Sequence, residues 1–212
     1  MGRRIKIIQD YHCDDIKLYK KRFVELQPGL TVLVGCNGVG KTTLLKQIKS
    51  GLKEENIPCL DFDNLHNGGS NARSRAAFYG DFSFVAQGMC SSEGENIVLN
   101  MQRFARQIGH FFKENIDAKE IWILLDAVDS GLSIDAVEDL KKGLFKTIFD
   151  YYSNKEIYIV CSANEYELAR GEMCFDVANC KYVPIKSYEK YRNVIMRSRK
   201  IKDERYERRD GR

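Results

Sequence analysis

Apolar and polar positions follow two different periods along the chain, and the change of period separates strands from helices. Residues 5–9 and 22–26 alternate between apolar and polar side chains, as half-buried strands do. Residues 30–34, 121–125 and 157–161 are almost continuously apolar and rich in β-branched side chains. Such runs are typical of strands that are covered on both faces, so these three segments predict the centre of a parallel sheet.

Helical spacing fills the intervals between these strands. Residues 41–52 and 133–152 are amphipathic, and residues 95–112 repeat apolar side chains every three or four positions, which is the spacing of one helix face. Shorter apolar runs at 57–62 and 181–185 predict two further strands. Strands that alternate with helices favour a layered α/β fold.

The order of these elements predicts one α/β domain. We expect a mostly parallel sheet with flanking helices and a small antiparallel pair of strands at the N-terminus. The length of 212 residues fits a single domain, and no internal repeat is present. We assign the domain to residues 1–185 and residues 186–212 to a basic, helical C-terminal tail.

Charge is distributed unevenly between these two parts. The tail has 11 basic and 5 acidic residues, whereas the rest of the chain has 23 basic and 25 acidic residues. A basic segment of this kind can bind nucleic acid through its phosphates. The acidic residues that interleave with the arginines equally fit a solvated terminal helix, so both interpretations stay open.

The composition excludes several classes of protein. No run of 18 apolar residues occurs, so no membrane-spanning helix is predicted. The basic N-terminus is followed by a stretch that is too short and too polar for a signal peptide. Seven cysteines are scattered without a CxxC pair, a pattern that suggests neither a disulfide framework nor a zinc site. We therefore expect a cytoplasmic protein with reduced cysteines and no membrane partner.

The clearest chemical motif lies between the first buried strand and the first helix. Residues 35–42 match GxxxxGKT, in which glycines let successive backbone N–H groups turn around a phosphate chain. Lys41 would reach the β- and γ-phosphates, and Thr42 would place its hydroxyl on Mg²⁺. The predicted phosphate-binding residues are Gly35, Cys36, Asn37, Gly38, Val39, Gly40, Lys41, Thr42 and Thr43. The predicted fold is therefore a P-loop NTPase, with ATP and Mg²⁺ as its cofactors.

An acid follows the second buried strand, as this kind of site requires. The apolar run at 121–125 ends in Asp126, and ligands bind at the carboxyl ends of strands in open α/β sheets. Asp126 is thus placed to hold Mg²⁺ through water. We predict Thr42 and Asp126 as the metal site, and Lys41 and Asp126 as catalytic residues.

Three motifs in family order resemble the nucleotide-binding domains of the ATP-binding-cassette superfamily over about residues 5–185. They are the strand, loop and helix at 28–45, a signature-like segment at 91–95, and a Walker B strand with its D-loop at 124–133. The chain looks most like the soluble chromosome-maintenance and DNA-repair ATPases and small phage-type AAA-family ATPases.

The signature-like segment implies a partner subunit. Ser92 and Gly94 open the helix that is predicted from Glu95, so a hydroxyl and the positive end of a helix point at an anion. In the family that anion is the γ-phosphate held by a second subunit, and two ATP molecules are enclosed between two protomers. The resemblance therefore implies an ATP-dependent homodimer, with Ser92 and Gly94 as binding residues supplied in trans.

The sequence departs from the family pattern at two catalytic positions. The family's catalytic Glu follows the Walker B acid, but here the residue is Ala127, which cannot polarise water. Asp129 is a candidate replacement base, or a D-loop residue that contacts the partner. Asn164 or Ser162 stands near the family's missing His. These departures imply slow hydrolysis with nucleotide binding intact.

Other polar residues near the site have less certain roles. Gln87 resembles the family's Mg²⁺-binding Gln, but it precedes Ser91 by only four residues, so we interpret it as incidental. Asp61 and Asp63 follow a predicted strand and form an alternative acidic pair near the metal.

The motifs do not assign the residue that would stack on adenine. Tyr11, His12 and Tyr19 precede the phosphate loop at distances where the family often keeps an aromatic side chain. Each is equally an ordinary surface or core residue, so none of the three is selected.

Three functions are consistent with these motifs. The first is ATP binding with slow hydrolysis, acting as a nucleotide-driven dimerisation switch in a soluble complex linked to nucleic acid, phage or defence. The second is a P-loop kinase of a small molecule, for which the acids at 61–63 are suitably placed. The third is a non-hydrolysing, ATP-bound regulatory or scaffold subunit with a protein partner, which the missing Glu and His favour.

Overall fold

The described part of the chain folds around a six-stranded sheet with helices on both faces. A computed structural model describes residues 2–9, 16–63 and 93–210. The strands are β1 (Arg3–Lys6), β2 (Phe23–Leu26), β3 (Gly29–Val34), β4 (Cys59–Asp63), β5 (Glu120–Asp126), β6 (Glu156–Ser162), β7 (Met173–Asp176) and β8 (Lys181–Pro184). The helices are α1 (Lys41–Glu54), α2 (Glu93–Glu114), α3 (Ile134–Glu138), α4 (Lys146–Tyr151), α5 (Tyr166–Ala169) and α6 (Tyr188–Asp210). A π-helical segment, Asp139–Phe145, joins α3 to α4.

The sheet topology confirms the predicted fold class. The strand order is β4-β5-β6-β3-β7-β8, and every neighbouring pair is parallel except β7 and β8. Strands β1 and β2 form the predicted separate antiparallel pair. Because β6 lies between β3 and β5, the carboxyl ends of these three strands meet at one edge of the sheet.

Two apolar cores explain why the central strands have continuous apolar runs. Alternate residues of one strand point to opposite faces, and both faces are covered here. On one face, Val32 packs with α2 and with the α3–α4 segment. On the other, Leu33 packs with α1 and with the β1–β2 pair. Each central strand is therefore apolar at nearly every position, which removes the alternation that marks an exposed sheet.

One strand, β7, and the short helix α5 carry no recognisable sequence pattern. Each has four residues, which is too few for a period to emerge. Strand β7 ends in Asp176, which is fully buried and paired with Arg197 of α6 at 2.6 Å. A charged residue inside a buried strand interrupts the apolar run that would otherwise indicate it.

The C-terminal helix α6 packs against both cores. Tyr191 and Val194 belong to the core on the α2 face, and Ile201 packs against the core on the α1 face. The helix therefore extends across the end of the sheet, with a charged outer side and a buried inner side. Within the described residues, no helix combines the length and the apolar composition needed to cross a bilayer. The five cysteines that lie in the described ranges are free thiols.

Candidate functional site

The phosphate loop connects β3 to α1, and its last position before the helix has a conformation that suits glycine. Gly40 has φ 107°, a left-handed conformation that side chains with a Cβ avoid. An added Cβ at this position would also lie 3.1 Å from the Tyr19 hydroxyl oxygen, which donates a 2.8 Å hydrogen bond to the Gly40 carbonyl. The motif glycine thus allows both the turn and the close approach of Tyr19.

The first turn of α1 is arranged to receive an anion. Gly40 is its N-cap, no side chain caps it, and no acidic residue occurs in the first turn. The first N–H groups of a helix lack intrahelical acceptors, and the helix dipole adds partial positive charge there. A phosphate group would satisfy these donors directly.

The side chain of Lys41 is buried against the phosphate loop. It is 8% exposed, and its Nζ donates a 2.8 Å hydrogen bond to the Gly35 carbonyl. Burial lowers the pKa of Lys41, and the negative charges of Asp126 and Asp129 act in the opposite direction. A bound phosphate would supply a counter-charge that offsets this loss of hydration, so the site favours a polyanion energetically.

Ser162 connects the Walker B strand to the neighbouring strand. Its hydroxyl donates a 2.5 Å hydrogen bond to Oδ1 of Asp126 and accepts one of 2.7 Å from the Ala127 N–H. Ser162 is buried, so this pair of contacts fixes the Asp126 carboxylate at the carboxyl edge of the sheet. The sequence had placed Ser162 only near the position of the family's missing His.

Asp129 does not line the cavity, and it holds the loop after β6. It is fully buried, and its Oδ2 accepts hydrogen bonds of 2.8 Å from the backbone N–H groups of Asn164 and Glu165. Burial raises the pKa of Asp129, although these N–H donors oppose the rise. Its Oδ1 has no hydrogen-bond partner among the described residues. In this arrangement Asp129 positions Asn164 and does not line the cavity.

Most of the predicted site residues meet around one cavity of about 430 Å³, a size within the usual range of about 300–1,000 Å³ for small-molecule sites. The lining residues are Leu18, Cys36, Asn37, Gly38, Gly40, Lys41, Thr42, Thr43, Asp126, Ala127, Ser162, Asn164 and Tyr206. The phosphate loop, the predicted metal residues Thr42 and Asp126, and Ala127 at the expected catalytic position thus lie together.

A comparison of sequences places this site in a known family. A family model described as an AAA domain matches residues 24–169, which is more than half of the chain and includes the phosphate loop and Asp126. The chain belongs to the AAA domain family. The match agrees with the geometry of the site: this is a P-loop ATPase domain. The closer resemblance to ATP-binding-cassette and repair ATPases stays a prediction.

The comparison with solved structures gives matches. One of them, a KaiC-like protein from the hyperthermophilic archaeon Pyrococcus horikoshii OT3, is 23% identical over 77% of this chain and 73% of that chain, with a TM-score of 0.40. The comparison with curated proteins gives no match.

Several predicted residues lie elsewhere in this AAA domain. Gly35 and Val39 belong to the loop but do not line the cavity. Gly94 lies in the first turn of α2. Asp61 forms an ion pair of 2.7 Å with Lys49. Outside the described residues lie Tyr11, His12, Gln87, Ser91 and Ser92.

Asp63 is not a lining residue of the cavity, although it is close to the site. It stands opposite Asp126 in the register of β4 and β5. Of the acidic pair predicted near the metal, Asp63 is therefore the member beside the carboxyl end of the Walker B strand.

Helix α6 contributes contacts that sequence motifs did not indicate. Ser198 is fully buried, and its hydroxyl accepts a 2.7 Å hydrogen bond from the Cys36 N–H of the phosphate loop. Lys202 lies one turn later, with its Nζ 3.5 Å from the Asn37 carbonyl, and Tyr206 lies one further turn along. The available signal was the spacing of four residues between these polar and aromatic side chains, which places them on one helix face.

Replacement of Ser198 by alanine is expected to lower the free energy of unfolding by about 1–3 kcal/mol, because the buried Cys36 N–H would lose its acceptor. Urea denaturation monitored by circular dichroism measures this change. Ser153→Ala is the matched control, because Ser153 is exposed and surface substitutions usually change stability by less than about 0.5 kcal/mol. Equal stabilities of the two variants would contradict a structural role for the α6 contact.

Proposed function

We propose that this AAA domain binds ATP·Mg²⁺, hydrolyses it slowly, and uses the bound nucleotide to control association between two copies of the chain. The observation that carries the proposal is the cavity in which Lys41, the uncapped start of α1 and Asp126 converge beside Ala127. Three features there favour a phosphate chain: a buried cation, a helix start that no side chain of the described residues caps, and a glycine-rich turn.

The residues at the cavity fit a Mg²⁺ ion. Mg²⁺ is usually held by one or two carboxylates together with substrate phosphates and water. Thr42 and Asp126 both line the cavity, and the hydrogen bond from Ser162 orients the Asp126 carboxylate. When bound, Mg²⁺ would neutralise charge that develops on the phosphates, while these residues hold it in place.

Slow hydrolysis is supported by the side chain at the catalytic position. Ala127 lines the cavity directly after Asp126, so no carboxylate is available there to orient water. A positioned general base contributes about 10²- to 10⁴-fold to a rate. The remaining residues bind and stabilise the phosphates without activating the nucleophile.

Association between two copies is supported by the signature-like segment. Helix α2 begins at Glu93, with Gly94 in its first turn, and in the family arrangement Ser92 would precede this helix. We expect Ser92→Arg to bind ATP as wild type does but to prevent dimerisation, because the arginine would fill the space of the opposing phosphate. Small-angle X-ray scattering at saturating ATP·Mg²⁺ measures the mass.

Ser153→Arg is the matched control for this experiment, since it adds the same charge at an exposed site. If Ser92→Arg dimerises with ATP as fully as Ser153→Arg does, the contact in trans is wrong. A wild-type protein that binds ATP yet stays monomeric would overturn the switch while leaving nucleotide binding in place.

A non-hydrolysing regulatory subunit is the second candidate, and Ala127 favours it as well. The two functions differ only in turnover. Single-turnover measurement of ADP formation, with protein in excess over ATP, separates them, because a regulatory subunit would release the nucleotide unchanged.

A further inference from the structure

The cavity is lined by polar and apolar residues from different parts of the chain. Strands β6 and β5 lie on one side of β3, and β7 lies on the other. Asp126 ends β5 and Asn164 follows β6, so the polar end of the cavity is on that side. Leu18 and Tyr206 also line the cavity.

The structure places Tyr206 on the β7 side through its neighbour in α6. The Nη2 atom of Arg205 lies 3.5 Å from the carbonyl of Ala178, which is two residues beyond the end of β7. Leu18 lies in the same region, because Lys20, two residues later, donates a 2.7 Å hydrogen bond to Oδ1 of Asn179, the residue after Ala178. Leu18 and Tyr206 thus border the cavity on the β7 side of β3, whereas Asp126 lies on the β5 side.

The polar end and the two apolar side chains set the orientation in which a nucleoside triphosphate binds. The γ-phosphate and its Mg²⁺ need Thr42 and Asp126, so they occupy the polar end. The phosphate chain then follows the loop and the start of α1. The nucleoside must leave the loop on the far side, where Leu18 and Tyr206 offer the apolar surface that a base requires.

We propose that α6 forms the nucleobase wall of the site, with the Tyr206 ring stacked on the base and Leu18 packed against it. This inference rests on the proposed nucleotide binding and extends it to the base. Tyr206 is 40% exposed, so one face of its ring is available. Base–aromatic stacking tolerates every base, because every base has a π-face.

Helix α6 is anchored well enough to position this ring. Arg197 pairs with the buried Asp176, and Ser198 accepts a hydrogen bond from the Cys36 N–H, so the helix is fixed between two and three turns before Tyr206. A ring held in advance loses little conformational freedom when the base binds, which favours affinity.

The test compares two ligands that differ only in the nucleoside. Isothermal titration calorimetry measures the affinity of wild type, Tyr206→Ala and Tyr206→Phe for ATP·Mg²⁺ and for inorganic tripolyphosphate·Mg²⁺. Tyr206→Ala should bind ATP about 5- to 150-fold more weakly, the range that stacking energies imply, and tripolyphosphate as wild type does. Tyr206→Phe should retain ATP affinity because the ring remains.

Tyr188→Ala is the matched control, since Tyr188 is an exposed tyrosine on the same helix and does not line the cavity. A second readout is the fluorescence of 2-aminopurine riboside triphosphate, which stacking should quench in wild type and Tyr206→Phe and not in Tyr206→Ala. Unchanged ATP affinity and unchanged quenching in Tyr206→Ala would overturn the base wall, as would an equal loss of both ligands. If wild type binds neither ligand, the proposed nucleotide binding itself is wrong.

Discussion

Replacing Lys41 by methionine is expected to weaken ATP binding by at least about 100-fold without unfolding the protein. Lys41 is the buried cation of the phosphate loop, and charge-assisted hydrogen bonds to phosphate are about twice as strong as neutral ones. In a partly dry site the loss of that charge costs several kcal/mol. Calorimetric titration with ATP·Mg²⁺ measures the effect.

Methionine is chosen because it retains the volume of the lysine stem. Burial already lowers the pKa of Lys41, which means that the folded protein disfavours the charge when no phosphate is present. Its removal should therefore leave a cooperative unfolding transition. Lys41→Arg is the control that keeps the charge with a different shape, and it should bind ATP more strongly than Lys41→Met. Wild-type affinity in Lys41→Met would refute the assignment of the phosphate loop.

Ala127→Glu is expected to raise the rate of ATP hydrolysis by about 10²- to 10⁴-fold, the usual contribution of a positioned general base. Ala127 lines the cavity beside Asp126, so a carboxylate at this position can reach a water next to the γ-phosphate. Ala127 has φ 51°, and glutamate would adopt this conformation at a cost similar to that for alanine. Phosphate release under saturating ATP·Mg²⁺ measures the rate, which in wild type should lie well below about 10 s⁻¹.

Ala127→Gln is the matched control for turnover, because it has the same size and no basic carboxylate. It should bind ATP and remain as slow as wild type. Asp129→Asn tests the other candidate base. One carboxylate oxygen of Asp129 accepts hydrogen bonds from the Asn164 and Glu165 N–H groups, and the amide oxygen of asparagine can accept the same bonds. The variant should therefore retain the residual rate of hydrolysis. A loss of nearly all activity with intact ATP binding would make Asp129 the base.

The sequence predicted the central part of the site because its chemistry is local. The glycines and Lys41 of the phosphate loop are consecutive in the chain, and the flanking strand and helix have clear periods. Asp126 was also predictable, since the carboxyl ends of parallel strands meet at one edge. Residues 64–92 lie outside the described part of the structure, so the role of Ser92 stays a prediction.

The sequence leaves the role of Asp129 open between base and partner contact, and the structure shows which groups its carboxylate contacts. An acid three residues after the Walker B strand can point into the cavity or into the protein with the same local pattern. The backbone N–H groups of Asn164 and Glu165 turn it inward. These donors belong to a loop after a different strand, so no local pattern includes them.

By itself, the sequence determined the α/β fold, the phosphate loop and the acid at the end of β5, because each depends on residues that are neighbours in the chain or on a regular period. Only the tertiary structure decided what α6 does. Its spacing indicated which side chains share a face, but the partner of that face, the Cys36 N–H, lies 162 residues away from Ser198. A helical period indicates which residues share a face but not what that face contacts. Only the packing of α6 across the phosphate loop brings Ser198, Lys202 and Tyr206 to the site.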